Sequence, residues 1–341
     1  MRPFLEPFHG KIPARPPVWF MRQAGRYLSE YRELRKTAPN FLSFCYSPDL
    51  TVEATLQPIR RYGFDAAIMF SDILVIPDAL GQNVRFEEGV GPLLDSITDR
   101  AGISALNTGG VLDHLAPVFE TLTRLRRELP DETALIGFAG APWTLAFYMI
   151  EGRGGVDGGK LKRMAYGQPE DFAALMAVLE EALVAYLCRQ VEAGAEVLQL
   201  FDSWSGIADE TLFKRWIIEP TARIVARVKE AHPDVPVIGF PRGAGPMVAA
   251  YAAETGVDGM SVDSQVPLAW ARNNVPGNLV LQGNLDNQLL VTGGEEMDRA
   301  VKRIVGDMAG HPFVFNLGHG ILPPTPPEHV GRILDVLRGK D

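Results

Sequence analysis

The 341-residue chain has only two cysteines, Cys45 and Cys188, which lie far apart in the sequence. Two distant thiols cannot build a disulfide framework or a four-thiolate metal site, and so few cysteines are typical of a protein of the reducing cytosol. The six histidines form none of the His-x-Cys, His-x-His or His-Glu-x-x-His patterns of zinc sites. The sequence therefore predicts no metal centre.

Long apolar runs are also missing. No stretch approaches the ~18 apolar residues of a membrane span, and Pro3, Glu6 and Pro7 interrupt the segment where a secretion signal would have its apolar region. The net charge of −9 and the pI of about 5.3 argue against general binding of nucleic acid. We expect a cytoplasmic protein that binds neither membranes nor nucleic acid.

The charge is unevenly distributed along the chain. Residues 1–36 contain eight Lys or Arg and three Glu, a net charge of +5, so the other 305 residues carry −14. A basic segment on an acidic protein indicates a local binding site for an anion. The alternative interpretation of the segment is a solvated charged face. For Arg22 and Arg26 the alternative is salt bridges to Glu30 or Glu33 at helical spacing.

Short apolar segments alternate with longer amphipathic segments along the whole chain. The clearest helical pattern covers 169–193, where apolar residues recur at spacings of three and four between Pro169 and Gly194. Other helices are predicted at about 48–61, 110–129, 208–231, 245–255, 266–273, 293–310 and 327–338. The eight predicted strands are Pro17–Arg22, Ala66–Asp72, Ala134–Gly140, Glu196–Ser203, Val235–Pro241, Gly259–Asp263, Asn278–Gly283 and Pro312–Gly318.

Strands that alternate with helices imply βαβ units and a parallel sheet. Eight such units fit an α/β fold of the (β/α)8 TIM-barrel type, in a single domain that spans 1–341. The competing arrangement is a doubly wound sheet, whose first βα turn is rich in glycine. Here the first strand runs into Met21–Arg26, which contains one glycine. The pattern therefore favours the barrel.

A barrel places its active site at the carboxyl ends of its strands. The residues predicted there are polar and carry both charge signs. They are Arg22, Arg26, Asp72, Ser203, Arg242, Asp263, Asn284 and His319, together with the turn 140–143.

Three kinds of side chain in this set suit chemistry on an anion. Asp72 is the only carboxylate in the apolar run 66–76, and it either forms a turn or faces donors, or a developing cation, in a dry pocket. The planar forks of Arg22 and Arg26 match carboxylates or phosphates at two points. His319 follows a predicted strand, where it is either structural or functional.

At this point several motifs resemble those of the uroporphyrinogen decarboxylase family. The resemblance covers nearly the whole chain, and several of the motifs are long. They are Trp19–Tyr27 with Tyr31–Arg35, Phe70–Pro77, Gly137–Thr144, Gln199–Ser203 and Phe315–Gly320.

The resemblance implies a single (β/α)8 domain, a homodimer, and no metal or organic cofactor. It also implies a reaction that removes carbon dioxide from the four acetate side chains of uroporphyrinogen III, giving coproporphyrinogen III in haem and chlorophyll biosynthesis. The substrate has eight carboxylates, so the basic segment 1–36 suits it although the protein is acidic.

The catalytic candidates are Asp72, Arg22 and Arg26. Asp72 would accept hydrogen bonds from the central pyrrole N–H groups and stabilise the cation formed when a ring carbon is protonated. The proton donor stays open among Arg22, a water molecule and a substrate carboxyl. The resemblance implies substrate binding by Arg22, Gln23, Ala24, Gly25, Arg26, Asp72, Tyr148, Ser203 and His319, with Arg35 as a further candidate.

Two other functions compete with this one. A cobalamin-linked methyltransferase shares this barrel superfamily but needs a His-x-Cys…Cys zinc site, and neither Cys45 nor Cys188 follows a histidine by two residues. A tetrapyrrole-binding carrier would not need Asp72 beside a pair of arginines. Turnover of uroporphyrinogen separates the enzyme from the carrier.

Overall fold

The computed structural model describes residues 1–87 and 89–340. Residues 88 and 341, which the predicted domain 1–341 includes, lie outside this part. The fold is α/β, as predicted, and its centre is a parallel sheet with the strand order β1-β4-β5-β6-β7-β8-β9. The strands of this sheet are β1 Ala66–Ile68, β4 Ala134–Gly140, β5 Val197–Asp202, β6 Val237–Pro241, β7 Gly259–Ser261, β8 Val280–Leu285 and β9 Phe313–Leu317.

Helices connect these strands, because parallel neighbours require a crossover of a dozen or more residues. In the first half they are α1 Ser29–Lys36, α2 Phe41–Cys45, α3 Pro48–Tyr62, α4 Val75–Ala79, α5 Arg100–Ser104, α6 Val111–His114, α7 Ala116–Glu128, α8 Pro142–Glu151, α9 Gly159–Gly167 and α10 Pro169–Glu192. In the second half they are α11 Glu210–Phe213, α12 Glu219–Ala231, α13 Val248–Glu254, α14 Leu268–Asn274, α15 Asn287–Thr292, α16 Gly294–Asp307 and α17 Pro327–Leu337.

Four shorter helical stretches accompany these helices. Three are 3-10 turns and one is a π-helical stretch that joins α11 to α12. They are Pro3–His9, Ser205–Ile207, Gly245–Met247 and Lys214–Ile218.

The first predicted strand, Pro17–Arg22, is wrong as a continuous strand. Only Val18 forms a parallel bridge, to Phe315 of β9. The segment turns soon afterwards, because the amide of Gln23 donates to the carbonyl of Phe20 (3.0 Å) and Arg22 adopts a left-handed backbone with φ of 61°. Such a φ is incompatible with an extended strand.

The same segment nevertheless contacts both edges of the sheet. The amide of Phe315 in β9 donates to the carbonyl of Pro17 (2.8 Å), and the amide of Asp65, next to β1, donates to the carbonyl of Val18 (3.0 Å). The guanidinium of Arg15 pairs with the Asp65 carboxylate at 2.7 Å. The chain near Val18 therefore lies between β1 and β9.

The strands form because they are buried on both faces, as parallel strands between helices are. All seven residues of β4 are buried. Inside the curved sheet, the indole N–H of Trp19 donates to Oε1 of Gln282 (2.8 Å). The side-chain Nε2 of Gln282 in turn donates to Oε1 of Gln199 (3.0 Å). This chain of hydrogen bonds lies beside an apolar cluster that includes Phe4 of the N-terminal 3-10 turn, and it leaves Nε2 of Gln199 without a partner among the described residues.

An antiparallel hairpin of β2 (Val84–Glu87) and β3 (Gly91–Leu94) interrupts the alternation after β1. The predicted strands do not include this hairpin. The segment 140–143 is predicted as a turn, but α8 begins at Pro142 and continues to Glu151. Both differences matter, because the hairpin and α8 contribute side chains to the pocket described below.

No helix in residues 1–87 and 89–340 is long and apolar enough to cross a membrane.

Candidate active site

A pocket of about 380 Å³ opens at the carboxyl ends of the parallel strands. Barrel-type α/β enzymes place their chemistry at this end of the sheet. Its walls combine aromatic rings with a few charged groups. The lining residues are Met21, Arg22, Ala24, Ile68, Met69, Phe70, Ser71, Asp72, Ile73, Leu74, Phe86, Pro92, Phe138, Tyr148, Phe201, Ser203, Trp204, Arg242, His319 and Gly320.

Arg22 enters the pocket from the turn after Val18. Its left-handed backbone conformation, which is rare for residues other than glycine, directs the guanidinium away from the core. Gly320 makes room for it, because a Cβ at position 320 would lie 2.5 Å from Cδ of Arg22. The amide of Ile321 donates to the carbonyl of Met21 (2.9 Å), which holds the two segments together.

Arg22 and Arg26 do not form the predicted salt bridges to Glu30 or Glu33. Glu30 pairs with Arg61 at 3.0 Å, and Glu33 pairs with Lys36 at 2.7 Å. The side chains of Arg22 and Arg26 are exposed. Neither makes a hydrogen bond or ion pair within the part of the chain that the structure describes.

The other predicted residues of this turn differ in their placement. Ala24 lines the pocket, whereas Gln23, Gly25 and Arg26 do not. Gln23 is fully buried: its Nε2 donates to the carbonyl of Ala66, and its Oε1 accepts from the amide of Phe20, each at 3.2 Å. The side chain of Gln23 thus fixes the turn to β1.

Asp72 follows β1 and faces the pocket from the wall next to Arg22. Its Oδ1 accepts a hydrogen bond from the amide of Leu74 (2.9 Å). Burial raises the pKa of the Asp72 carboxyl, while this hydrogen bond and the positive charge of Arg22 lower it. A nearly apolar wall therefore holds a carboxyl group within electrostatic reach of an arginine.

Aromatic side chains from α1 and α2 support the Asp72 wall. The ring of Phe70 packs at 5.5 Å from Tyr31 and at 5.0 Å from Phe44. Burial raises the pKa of Tyr31 to about 12, so its hydroxyl is neutral at physiological pH. Arg35 lies over the ring of Phe44 and donates to the carbonyl of Ala38 (3.1 Å), outside the pocket lining.

The opposite wall is formed by α8 and the end of β5. Ser203 lies in the pocket directly after β5, and Tyr148 reaches it from α8. The indole of Trp204 stacks on Phe147 with ring centroids 4.0 Å apart. Burial raises the pKa of the Tyr148 hydroxyl, and the charge of Asp72 raises it further.

His319 follows β9 and closes the ring of polar groups. Burial lowers the pKa of its imidazole to about 3, and the positive charges of Arg22 and Arg242 lower it further. The ring is therefore neutral at physiological pH. Its Nδ1 is buried and has no hydrogen-bond partner among the described residues, so it faces the pocket as a neutral polar group.

Two of the residues predicted at strand ends form hydrogen bonds with loop backbone instead of lining the pocket. The carboxylate of Asp263 accepts hydrogen bonds from the amides of Gly243 (2.7 Å) and Gln265 (2.9 Å). The side-chain amide of Asn284 donates, through Nδ2, to the backbone carbonyls of Asp263 (3.0 Å) and Val266 (2.7 Å). Neither residue lines the pocket.

Sequence reasoning missed the aromatic part of the site. Phe70 and Phe201 lie within predicted strands that end at the pocket, so strand position could have identified them. Phe86 comes from the hairpin of β2 and β3, and its ring packs at 4.7 Å from Phe41. No pattern in the sequence signals that contact.

The pocket suits a particular kind of ligand. Asp72 is the only acidic residue among its described lining residues, while Arg22 and Arg242 supply positive charge. No group of three or more His, Cys, Asp or Glu within residues 1–87 and 89–340 could hold a metal ion. An apolar ligand with carboxylates on its rim and N–H donors at its centre matches this arrangement.

Comparison with known proteins gives the family. Residues 1–339 match the family model described as uroporphyrinogen decarboxylase (URO-D). The chain is 53% identical over 337 residues to a uroporphyrinogen decarboxylase of Rhodospirillum rubrum, a match that covers 99% of this chain and 97% of that protein. It is 51% identical to the protein of the same name from a Chelativorans species, covering 99% and 98%.

Solved structures support the fold. A methyltransferase from Methanosarcina mazei superposes with a TM-score of 0.81 over 99% of this chain and 97% of that chain, at 17% sequence identity. At this identity the likeness concerns the fold alone.

Proposed function

This chain belongs to the uroporphyrinogen decarboxylase family, and we propose that its pocket removes carbon dioxide from the four acetate side chains of uroporphyrinogen III, giving coproporphyrinogen III. The reaction is a decarboxylation in porphyrin biosynthesis. The observation that carries the assignment of the site is the position of Asp72, a lone carboxylate on an apolar wall beside the unpaired Arg22.

Asp72 has the chemistry that the reaction requires. Departure of carbon dioxide from a pyrrole acetate leaves an electron pair, which a protonated pyrrole ring accepts because protonation of a ring carbon makes the ring cationic. The methylene carbon then takes up a proton in place of the lost carboxyl, and the ring carbon gives back the proton it had received, which restores the neutral pyrrole. Asp72 accepts hydrogen bonds from the pyrrole N–H groups and stabilises the ring cation in a site of low dielectric constant.

The arginines bind substrate carboxylates. Arg22 reaches the pocket and lies close enough to Asp72 to affect its pKa, so it also orients the acetate that reacts. Arg26 is exposed at the end of the same turn and binds a carboxylate at the pocket mouth. Backbone atoms at Gln23, Ala24 and Gly25 shape this turn around the substrate.

The remaining polar residues contact substrate side chains from the other walls. Tyr148, Ser203 and His319 are neutral groups, so they accept or donate hydrogen bonds to acetate or propionate arms without competing with Asp72 for the ring cation. We include no metal or organic cofactor, because the pyrrole ring itself provides the electron sink.

We further propose a closed (β/α)8 barrel in one domain spanning 1–341. The contacts of Pro17 with β9 and of Val18 with both edges support this closure, with the Val18 segment in the eighth position. A homodimer in the cytoplasm, without nucleic-acid or membrane partners, completes the proposal by analogy with the family.

The test is turnover of uroporphyrinogen by the purified protein, with products separated by their number of carboxyl groups. The parent should convert the eight-carboxylate substrate to the four-carboxylate product. Asp72→Asn should keep its fold and lose at least ~10²-fold in kcat/KM, because an amide cannot offset a cation. Near-normal turnover by a folded Asp72→Asn protein would remove Asp72 from the mechanism.

A further inference from the structure

Arg242 is a second positively charged residue of the pocket, besides Arg22. It directly follows β6 and lines the pocket, and its side chain is exposed. It makes no side-chain hydrogen bond or ion pair with any residue in 1–87 or 89–340. Its positive charge is therefore available to a ligand.

The backbone around Arg242 is held firmly, although its guanidinium is free. Its amide donates to the carbonyl of Asp202 (3.1 Å), and its own carbonyl accepts from the hydroxyl of Ser205 (2.8 Å) and the amide of Gly206 (3.1 Å). The next amide, of Gly243, donates to the Asp263 carboxylate. A fixed backbone with an unpaired cation resembles a prepared anion site, since little backbone entropy is lost on binding.

Asp202 and Asp263 lie at the ends of β5 and β7, the two strands next to β6, and neither pairs with the guanidinium of Arg242. Oδ2 of Asp202 is buried and has no partner among the described residues. Oδ1 of Asp202 accepts from the hydroxyl of Thr144. Both carboxylate oxygens of Asp263 accept from backbone amides. An ion pair within the chain does not satisfy the guanidinium, so an external carboxylate is the partner that its charge requires.

The strand order places Arg242 opposite Arg22. In the sheet, β6 is three strands away from β1 through β4 and β5, which corresponds to about 14 Å at a strand spacing of ~4.8 Å. The Val18 segment before Arg22 contacts the far side of β1, so Arg22 and Arg242 enter the pocket from opposite walls. His319 lies within electrostatic reach of both.

From this arrangement we propose that Arg242 binds a peripheral carboxylate of the tetrapyrrole on the edge opposite to the arm that Arg22 and Asp72 act on. The inference rests on the proposed function and extends it, because it adds a second cationic anchor across the macrocycle. Arg242 holds the substrate in register and takes no part in breaking the carbon–carbon bond. Its loss therefore weakens binding and leaves the chemical step nearly unchanged.

The experiment compares Arg242→Gln and Arg242→Lys with the parent. As a matched control, Arg127→Gln makes the same charge change at an exposed position of α7, outside the pocket. Arg242→Gln should raise KM about tenfold or more, the loss expected for one charge-assisted contact, with kcat within about threefold. Arg242→Lys should recover part of the affinity, and Arg127→Gln should match the parent.

The salt dependence gives a second measurement. KM of the parent should rise with ionic strength, since a carboxylate at the pocket mouth is screened, and KM of Arg242→Gln should rise less steeply. Binding of the four-carboxylate product distinguishes the two possible arms. If product affinity also falls, Arg242 holds a propionate, and if only substrate affinity falls, it holds an acetate.

The outcomes that overturn the proposal are distinct from failure of the function itself. A folded Arg242→Gln protein with KM within about twofold of the parent, or the same change in Arg127→Gln, overturns the role of Arg242. If Arg242→Gln does not fold, an unchanged KM in Arg242→Lys overturns it, because an ammonium cannot reproduce a two-point contact. A folded parent that does not turn over uroporphyrinogen contradicts the proposed function instead.

Discussion

The hydroxyl of Thr144 donates a hydrogen bond to Oδ1 of Asp202 at 2.5 Å, joining α8 to the end of β5. The same hydroxyl accepts from the amide of Trp204 at 3.1 Å. Ser203, a pocket residue, lies between these two anchored positions. One hydroxyl group thus fixes the short turn that carries Ser203 and Trp204 into the pocket.

Replacing Thr144 by Val should loosen this turn while keeping the shape of the side chain. The buried carboxyl of Asp202 loses its hydrogen-bond donor, which should lower the free energy of unfolding by ~1–3 kcal/mol. We expect KM for uroporphyrinogen to rise severalfold, because Ser203 and Trp204 are no longer held in place. Denaturant unfolding and steady-state kinetics measure both effects.

The control is Thr144→Ser, which keeps the hydroxyl and should recover most of the stability and the KM of the parent. Equal losses in the Ser and Val variants would mean that the methyl group, and not the hydroxyl, matters at this position.

Asp202 should make stability depend on pH. Burial raises its pKa from 3.8 to about 7 in the folded protein. At pH values between these two pKa values, the carboxyl group is protonated in the folded state and ionised in the unfolded state. Stability from this group is full below pH ~4, falls as the pH rises through 7, and is then constant. The total loss is at most ~4 kcal/mol.

Asp202→Asn cannot ionise and should escape this loss. The unfolding midpoint of the variant, relative to that of the parent, should therefore increase between pH 5 and pH 8. A difference between the two proteins that stays constant over this range would contradict a buried, titrating carboxyl at position 202.

The backbone of Arg22 gives a prediction that separates stability from activity. A φ of 61° costs a residue other than glycine ~1–2 kcal/mol. Arg22→Gly should therefore be ~1 kcal/mol more stable than Arg22→Ala, although both lack the guanidinium and both should lose at least ~10²-fold in kcat/KM. Thermal unfolding, with an expected difference of ~1 °C, and kinetics test this. Equal midpoints would argue against strain at this turn.

His319 should not contribute a titration to the pH profile of the free enzyme. Its pKa of about 3 keeps the imidazole neutral from pH 5 to 8. His319→Gln should lower kcat/KM about tenfold through the lost contact while leaving the shape of the kcat/KM profile unchanged. A limb near pH 6 that disappears in the variant would show that His319 titrates.

His319 should also make the stability of the protein depend on pH. Because the folded pKa lies below the ordinary value of 6.5, the contribution of neutral His319 is full above pH 6.5 and is lost as the pH falls toward 3. His319→Gln should thus gain stability relative to the parent at pH 5, compared with pH 8.

The positions of Arg22, Asp72, Ser203 and His319 in one pocket were predictable, because all four were placed at the carboxyl ends of strands, which parallel strands bring to the same edge of a sheet. The sequence also indicated seven of the strands of the observed sheet, whose buried apolar runs stand out from the amphipathic helices.

Features that depend on tertiary contacts were not predictable in the same way. Phe86 enters the pocket only because its hairpin packs against α2. Gln23 is polar and lies in the basic segment, yet its side chain forms hydrogen bonds with two backbone groups and does not face the pocket. The left-handed Arg22 ended the first predicted strand early, and no propensity favours that conformation for arginine.

Gly320 should limit which substitutions the site tolerates. A Cβ at this position would lie 2.5 Å from Cδ of Arg22, so we expect a side chain at position 320 to displace the guanidinium that the pocket uses. In a selection of random variants for porphyrin supply, position 320 would tolerate as little change as position 22, although glycine has no side chain to take part in chemistry. Position 320 would be intolerant because the neighbouring Arg22 side chain fills the space that a new side chain needs. A small residue at position 22 would remove this steric clash and make substitutions at position 320 less harmful to folding.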